Sequence, residues 1–109
     1  TDQENNVFKV IDVHEAKSMI DTQDVQIIDS READEHESGH VPDSINIPHM
    51  ETFNRIAEIA TDKPVLFICK AGQRSAVAAE FAFAAGLTNE LYNVDGGHDA
   101  WEESGYPLS

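Results

Sequence analysis

The chain has 109 residues, 40% of them hydrophobic, which is enough for one domain with a single core. Its 21 acidic and 7 basic residues give a net charge of −14, so phosphate backbones are repelled and nucleic acid is excluded as an expected partner. No apolar run approaches the roughly 18 residues of a membrane span, no signal-peptide pattern is present, and a single cysteine permits no internal disulfide.

Thr1 to Asn6 is polar and is expected to be a flexible terminus, which leaves residues 7–109 as the domain. Phe8-Lys9-Val10-Ile11 reads as a short strand, and Asp12-Val13-His14-Glu15 has the spacing of a capping box. A helix from Val13 to about Asp21 follows, with Val13, Ala16, Lys17 and Ile20 on one face and His14 on the surface. Val25 to Asp29 is a second strand, running into Ser30-Arg31. The charged stretch Glu32 to Ser38 predicts a short exposed helix closed by Gly39. His36 and His40 among these acids raise the question of a metal, but neither HExxH nor paired-cysteine spacing is present, and a solvated face is the expectation. Pro42-Asp43 marks a turn before a short strand around Ser44 to Ile47. From Met50 to Ala60, the spacing of Phe53, Ile56, Ala57 and Ala60 predicts a helix.

Asp62-Lys63-Pro64 turns the chain into Val65-Leu66-Phe67-Ile68-Cys69, an apolar run that predicts a buried strand. After Lys70-Ala71-Gly72-Gln73-Arg74-Ser75 comes an alanine-rich run to Ala85, which predicts a mostly buried helix stopped by Gly86. Leu91 to Val94 is a last strand, and Asp95-Gly96-Gly97-His98 a tight turn. A final short helix from Asp99 to Ser104 turns Trp101 inward. Five short strands interleaved with helices predict an α/β domain with a mostly parallel sheet covered on both faces. Asp29, Cys69 and Asp95 fall at strand ends, on the rim where ligands of such sheets sit.

Cys69 is placed where a strand ends and a helix begins. The first N–H groups of a helix lack intrahelical partners and carry the positive end of its dipole. A loop wrapping back to them directs several donors at one centre. Two of the seven basic residues, Lys70 and Arg74, fall within the Cys69–Arg74 segment. A thiol in such a setting titrates at roughly 3.5–7.5 rather than about 8.5, which makes it a nucleophile at neutral pH. A buried structural cysteine is the alternative.

Taken together, Asp29-Ser30-Arg31, Glu35, Gly39-His40-Val41-Pro42, Asn46-Ile47-Pro48, Cys69 through Ser75, and Gly96-Gly97 with Ala100-Trp101 resemble the rhodanese (sulfurtransferase) domain family. The likeness runs from Ile27 to Pro107. It implies a five-stranded parallel α/β fold in which Cys69 takes a sulfane sulfur from a donor such as thiosulfate. The cysteine becomes a persulfide and delivers the sulfur to cyanide or a thiol. The same resemblance makes Lys70, Ala71, Gly72, Gln73, Arg74 and Ser75 the substrate-binding loop. Arg74, and less directly Lys70, is expected to offset donor charge. Asp29 and Arg31 are expected to form a supporting pair, and Ser44 stands where many members have alanine.

Two rivals are set against this reading. A cysteine phosphatase or arsenate reductase separates its cysteine and arginine by five residues, whereas four separate Cys69 from Arg74. A non-catalytic sulfur-carrier, redox-sensing or interaction module would have an oxidisable Cys69 but no use for the loop cations. A protein persulfide is an alternative donor for so acidic a chain. No metal or cofactor is expected. The lone cysteine suits the cytoplasm, with the periplasm as the alternative if a signal peptide has been removed.

Overall fold

A computed structural model describes residues 7–109; the flexible terminus expected for residues 1–6 lies outside the described residues. Five strands, β1 (Lys9–Ile11), β2 (Gln26–Asp29), β3 (Ile45–Asn46), β4 (Val65–Ile68) and β5 (Leu91–Val94), form one sheet in the order β1-β5-β4-β2-β3. All four pairings are parallel. Among the described residues, α1 (Val13–Thr22), α2 (Ala33–Glu37) and α3 (Gln73–Ala84) lie between strands, and α4 (Gly97–Glu103) follows β5.

The strand period of two sorts the core into two layers. Val65 and Phe67 of β4 face one side with Ile28, Ala78, Ala79 and Ala82, so α3 lies on that face. Leu66 and Ile68 face the other with Ile27, Val13, Ala16, Met19 and Trp101, so α1 and α4 cover it. Every residue of β4 and β5 is buried, which accounts for the unbroken apolar run of β4; β5 is interrupted by one buried polar residue, Asn93. Leu66 and Phe67, fully enclosed, each contribute about 1.5–3 kcal/mol relative to exposure.

Asp12 caps α1 by accepting from the Glu15 N–H (2.8 Å). Met19, rather than Lys17, completes the buried face of α1 with Val13 and Ala16. α4 starts at Gly97, two residues earlier than expected, and Trp101 is buried as expected. The alanine-rich helix is buried along one stripe rather than most of its surface. Ala78, Ala79 and Ala82 allow its backbone close to the sheet, while Phe83, at the edge of that stripe, is half exposed.

The helix expected from Met50 to Ala60 does not form. His49–Glu51 and Ile56–Glu58 are single 3-10 turns separated by irregular backbone. Phe53 and Ala57 face solvent, and Thr52 and Ile59 are buried instead. The Thr52 hydroxyl donates to the His49 carbonyl (2.7 Å), a local bond that competes with a continuing helical ladder.

Because all strands run in one direction, the carboxyl ends of β2, β4 and β5 share a rim. Asp29 closes β2, Cys69 follows β4, and Asp95 follows β5.

Candidate active site

Cys69 leaves β4 at the centre of that rim, and Lys70, Ala71 and Gly72 carry the chain in a tight curve into α3. Gly72 has φ +118°, a conformation that side-chain-bearing residues rarely adopt. In that geometry its N–H points back at the sulfur, donating to Cys69 Sγ at 3.1 Å. Ser75, in the first turn of α3, is buried and places its Oγ 3.3 Å from the same sulfur. Ala71 and Gln73 are exposed, as is Lys70.

Burial pushes the Cys69 thiol up. Hydrogen bonds from the Ser75 hydroxyl and from the N–H groups of Ser75, Gly72 and Ala71 outweigh it, and the group rests below its ordinary value. The Ser75 hydroxyl has one proton to offer. Asn93 Oδ1 lies 2.5 Å away, and Asn93 Nδ2 donates to the Gly72 carbonyl (3.1 Å), which fixes the amide's orientation. A charged sulfur competes for that proton better than a neutral amide does. Ser75→Ala is therefore expected to move the pH midpoint of Cys69 alkylation upward. An unmoved midpoint would mean that the backbone donors alone hold the thiolate.

The loop is tied from behind to the start of α4. The His98 N–H donates to the Cys69 carbonyl (2.8 Å) and the Asp99 N–H to the Lys70 carbonyl (3.0 Å). This approach explains Gly97: a Cβ there would sit 2.4 Å from the Cys69 carbonyl oxygen and 2.5 Å from that of Lys70. The His98 ring, also buried, places Nδ1 2.9 Å from the Cys69 carbonyl oxygen. A carbonyl only accepts, so Nδ1 carries the proton and Nε2 accepts from Arg31 Nη2 (3.2 Å). Burial lowers the His98 pKa, consistent with a neutral ring.

Arg31 and Asp29 form a buried pair, with Nε to Oδ1 at 3.0 Å and Nη2 to Oδ2 at 2.9 Å. Arg31 Nη2 also reaches the Gly39 carbonyl (2.7 Å), and His36 Nδ1 lies 2.8 Å from Asp29 Oδ2. The α2 stretch is thus not wholly a solvated face: His36 turns in to Asp29 and Glu35 turns to the loop.

The two loop cations are both engaged. Arg74 makes a two-pronged bond to Glu35, 2.7 and 3.0 Å, and Lys70 meets Asp99 at 2.8 Å. The Arg74 bond holds the Glu35 carboxyl at about 2. Loop dipoles, more than these cations, therefore stabilise the sulfur anion. His98, Asn93 and Asp99 escaped the sequence reading. A polar residue within the apolar strand Leu91–Val94 was the available signal for Asn93, and the adjoining glycine pair for His98.

A depression of about 220 Å³ lined by Phe8, Phe83, Leu87 and Leu91 lies at the amino ends of β1 and β5, away from the loop. Among the described residues, no helix is long and apolar enough to cross a membrane.

Residues 12–104 match the rhodanese-like domain family. The chain belongs to that family. A thiosulfate sulfurtransferase GlpE of Pseudomonas savastanoi is 32% identical over 100 residues, which cover 92% of each chain. A rhodanese-related protein of Thermoplasma volcanium superposes with a TM-score of 0.80 at 32% identity, over 94% of this chain and 98% of that one. A Rhodopseudomonas palustris protein of unknown function, described as a possible tyrosine phosphatase, gives a TM-score of 0.82 at 27% identity over 99% and 89% of the two chains. The rhodanese-like fold explains the rim: it is the common architecture onto which the Cys69 loop is built.

Proposed function

We propose that this protein is a sulfurtransferase working through a persulfide on Cys69. The observation that carries this reading is the ring of donors around a sulfur whose ionised form they favour. Relatives named thiosulfate sulfurtransferase support the reaction class.

In the first half-reaction the Cys69 thiolate attacks the outer sulfur of thiosulfate or another sulfane donor. The new S–S bond forms as the donor's S–S bond breaks, and the rest of the donor, sulfite in the case of thiosulfate, leaves with the bonding pair. The enzyme then carries Cys–S–S⁻, and the N–H groups from Lys70 to Ser75 cradle the added charge, as an oxyanion hole does for oxygen. In the second half-reaction cyanide or a thiolate attacks the outer sulfur and the Cys69 thiolate departs; with cyanide the product is thiocyanate. No proton moves in the thiosulfate–cyanide cycle, so no general base is required.

Arg74 directed at Glu35, together with the four-residue spacing from Cys69, favours this chemistry over phosphate ester hydrolysis. Steady-state rates with varied thiosulfate and cyanide are expected to give parallel double-reciprocal lines, the pattern of a substituted-enzyme cycle. Intersecting lines, or no thiocyanate with any sulfane donor, would refute the persulfide cycle.

A further inference from the structure

We propose that Glu35 and Asp99 set the charge preference of the loop, disfavouring doubly charged sulfur donors such as thiosulfate and favouring singly charged ones, persulfides and thiosulfonates. This proposal rests on the sulfurtransferase reading and names the donor class within it.

A dianion arriving at the rim meets cations that already have partners. Of the seven lysines and arginines, six have a carboxylate partner among the described residues. The two beside the sulfur are among them. Arg74 is clamped through both terminal nitrogens by Glu35, and Lys70 is held by Asp99. Glu35 is itself anchored, since its Oε1 accepts from the Glu32 N–H (3.0 Å) in a capping box at the start of α2. A third carboxylate, exposed Asp95, sits close to Gly72: its Oδ1 is 3.6 Å from where a Cβ on that glycine would be. Three carboxylates therefore face two cations around a sulfur that is itself anionic when reactive.

The backbone donors see only the transferred sulfur, which is the same in either donor class. The surplus negative field acts on the rest of the donor, and Coulomb energy scales with its charge. Thiosulfate and methanethiosulfonate make the comparison directly. Both present a terminal sulfur on a tetrahedral sulfur centre, but one charged oxygen of thiosulfate is a methyl group in the thiosulfonate. Attack by the Cys69 thiolate gives the same Cys–S–S⁻ in each case, with sulfite leaving from one and methanesulfinate from the other.

The test measures kcat/KM for each donor, with cyanide as acceptor, in the wild type, Glu35→Gln, Asp99→Asn and the double variant. The amides keep an oxygen that accepts from Arg74 or Lys70, so the cations stay placed while their charge is released. The double variant is expected to gain about tenfold with thiosulfate and about threefold with methanethiosulfonate, the square-root relation that a charge-scaled field requires. In the wild type, added KCl is expected to raise kcat/KM more steeply for thiosulfate than for methanethiosulfonate, a readout that needs no variant. Equal changes with both donors, a loss with thiosulfate, or identical salt slopes would overturn the charge preference while leaving the persulfide cycle intact. Failure of the wild type to turn over either donor would instead overturn the sulfurtransferase reading, and this proposal with it.

Discussion

Cys69→Ser is expected to abolish sulfur transfer, lowering turnover by roughly 10⁴-fold or more, because a hydroxyl cannot form the persulfide and is a far weaker nucleophile. The fold is expected to survive. Serine differs from cysteine by one atom, and the Gly72 N–H that donates to Sγ can donate to an oxygen in its place. A stability loss below about 1.5 kcal/mol is the expected scale of such a near-isosteric change. Denaturant unfolding of the variant checks this: a collapse of stability along with activity would mean that Cys69 is a structural residue.

Asp29→Ala is expected to cost about 3–5 kcal/mol, because it leaves the Arg31 guanidinium buried without its carboxylate. That is a large part of the roughly 5–15 kcal/mol that holds a domain of this size together. Activity falls with it, since Arg31 also supports His98, and His98 holds the Cys69 carbonyl. Burial raises the Asp29 pKa, but the bonds from Arg31 and His36 outweigh it and hold the carboxyl below its ordinary value. A depressed folded value means that the contribution is present above the ordinary carboxylate range and is lost as pH falls through the lowered folded value. The gap between wild type and variant should therefore narrow in acid. The exposed pair Lys63–Asp24 makes the contrast: Asp24→Ala is expected to cost less than about 1 kcal/mol. Similar losses from the two variants would contradict the buried-pair account.

Both predictions concern residues whose positions were legible in the sequence, and the reason is local. β4 announces itself as an unbroken apolar run, Gly72 as the turn after it, and the alanines of α3 as a helix able to lie close to a sheet. Periodicity, turn chemistry and propensity agree there, and the structure follows them. Met50 to Ala60 shows the opposite case. The spacing of Phe53, Ile56 and Ala57 fits a helix, but the burial of Thr52 and Ile59 and the Thr52–His49 bond decide the conformation. The ion pairs were hidden for a different reason. Glu35 and Arg74 are 39 residues apart and Lys70 and Asp99 are 29 apart, so their meeting depends on how three β–α turns converge on one rim. Nothing in the local sequence of a lysine shows whether its charge is free or taken.

The persulfide is the central claim, and intact-protein mass spectrometry tests it most directly. Wild type and Cys69→Ser are incubated with thiosulfate and, in parallel, with methanethiosulfonate, then treated with cyanide. The wild type is expected to gain the mass of one sulfur, larger in yield from the thiosulfonate, and to lose it on cyanide addition, while Cys69→Ser gains none. A wild type that gains no sulfur from either donor, or a Cys69→Ser variant that gains it equally, would contradict a persulfide carried on Cys69.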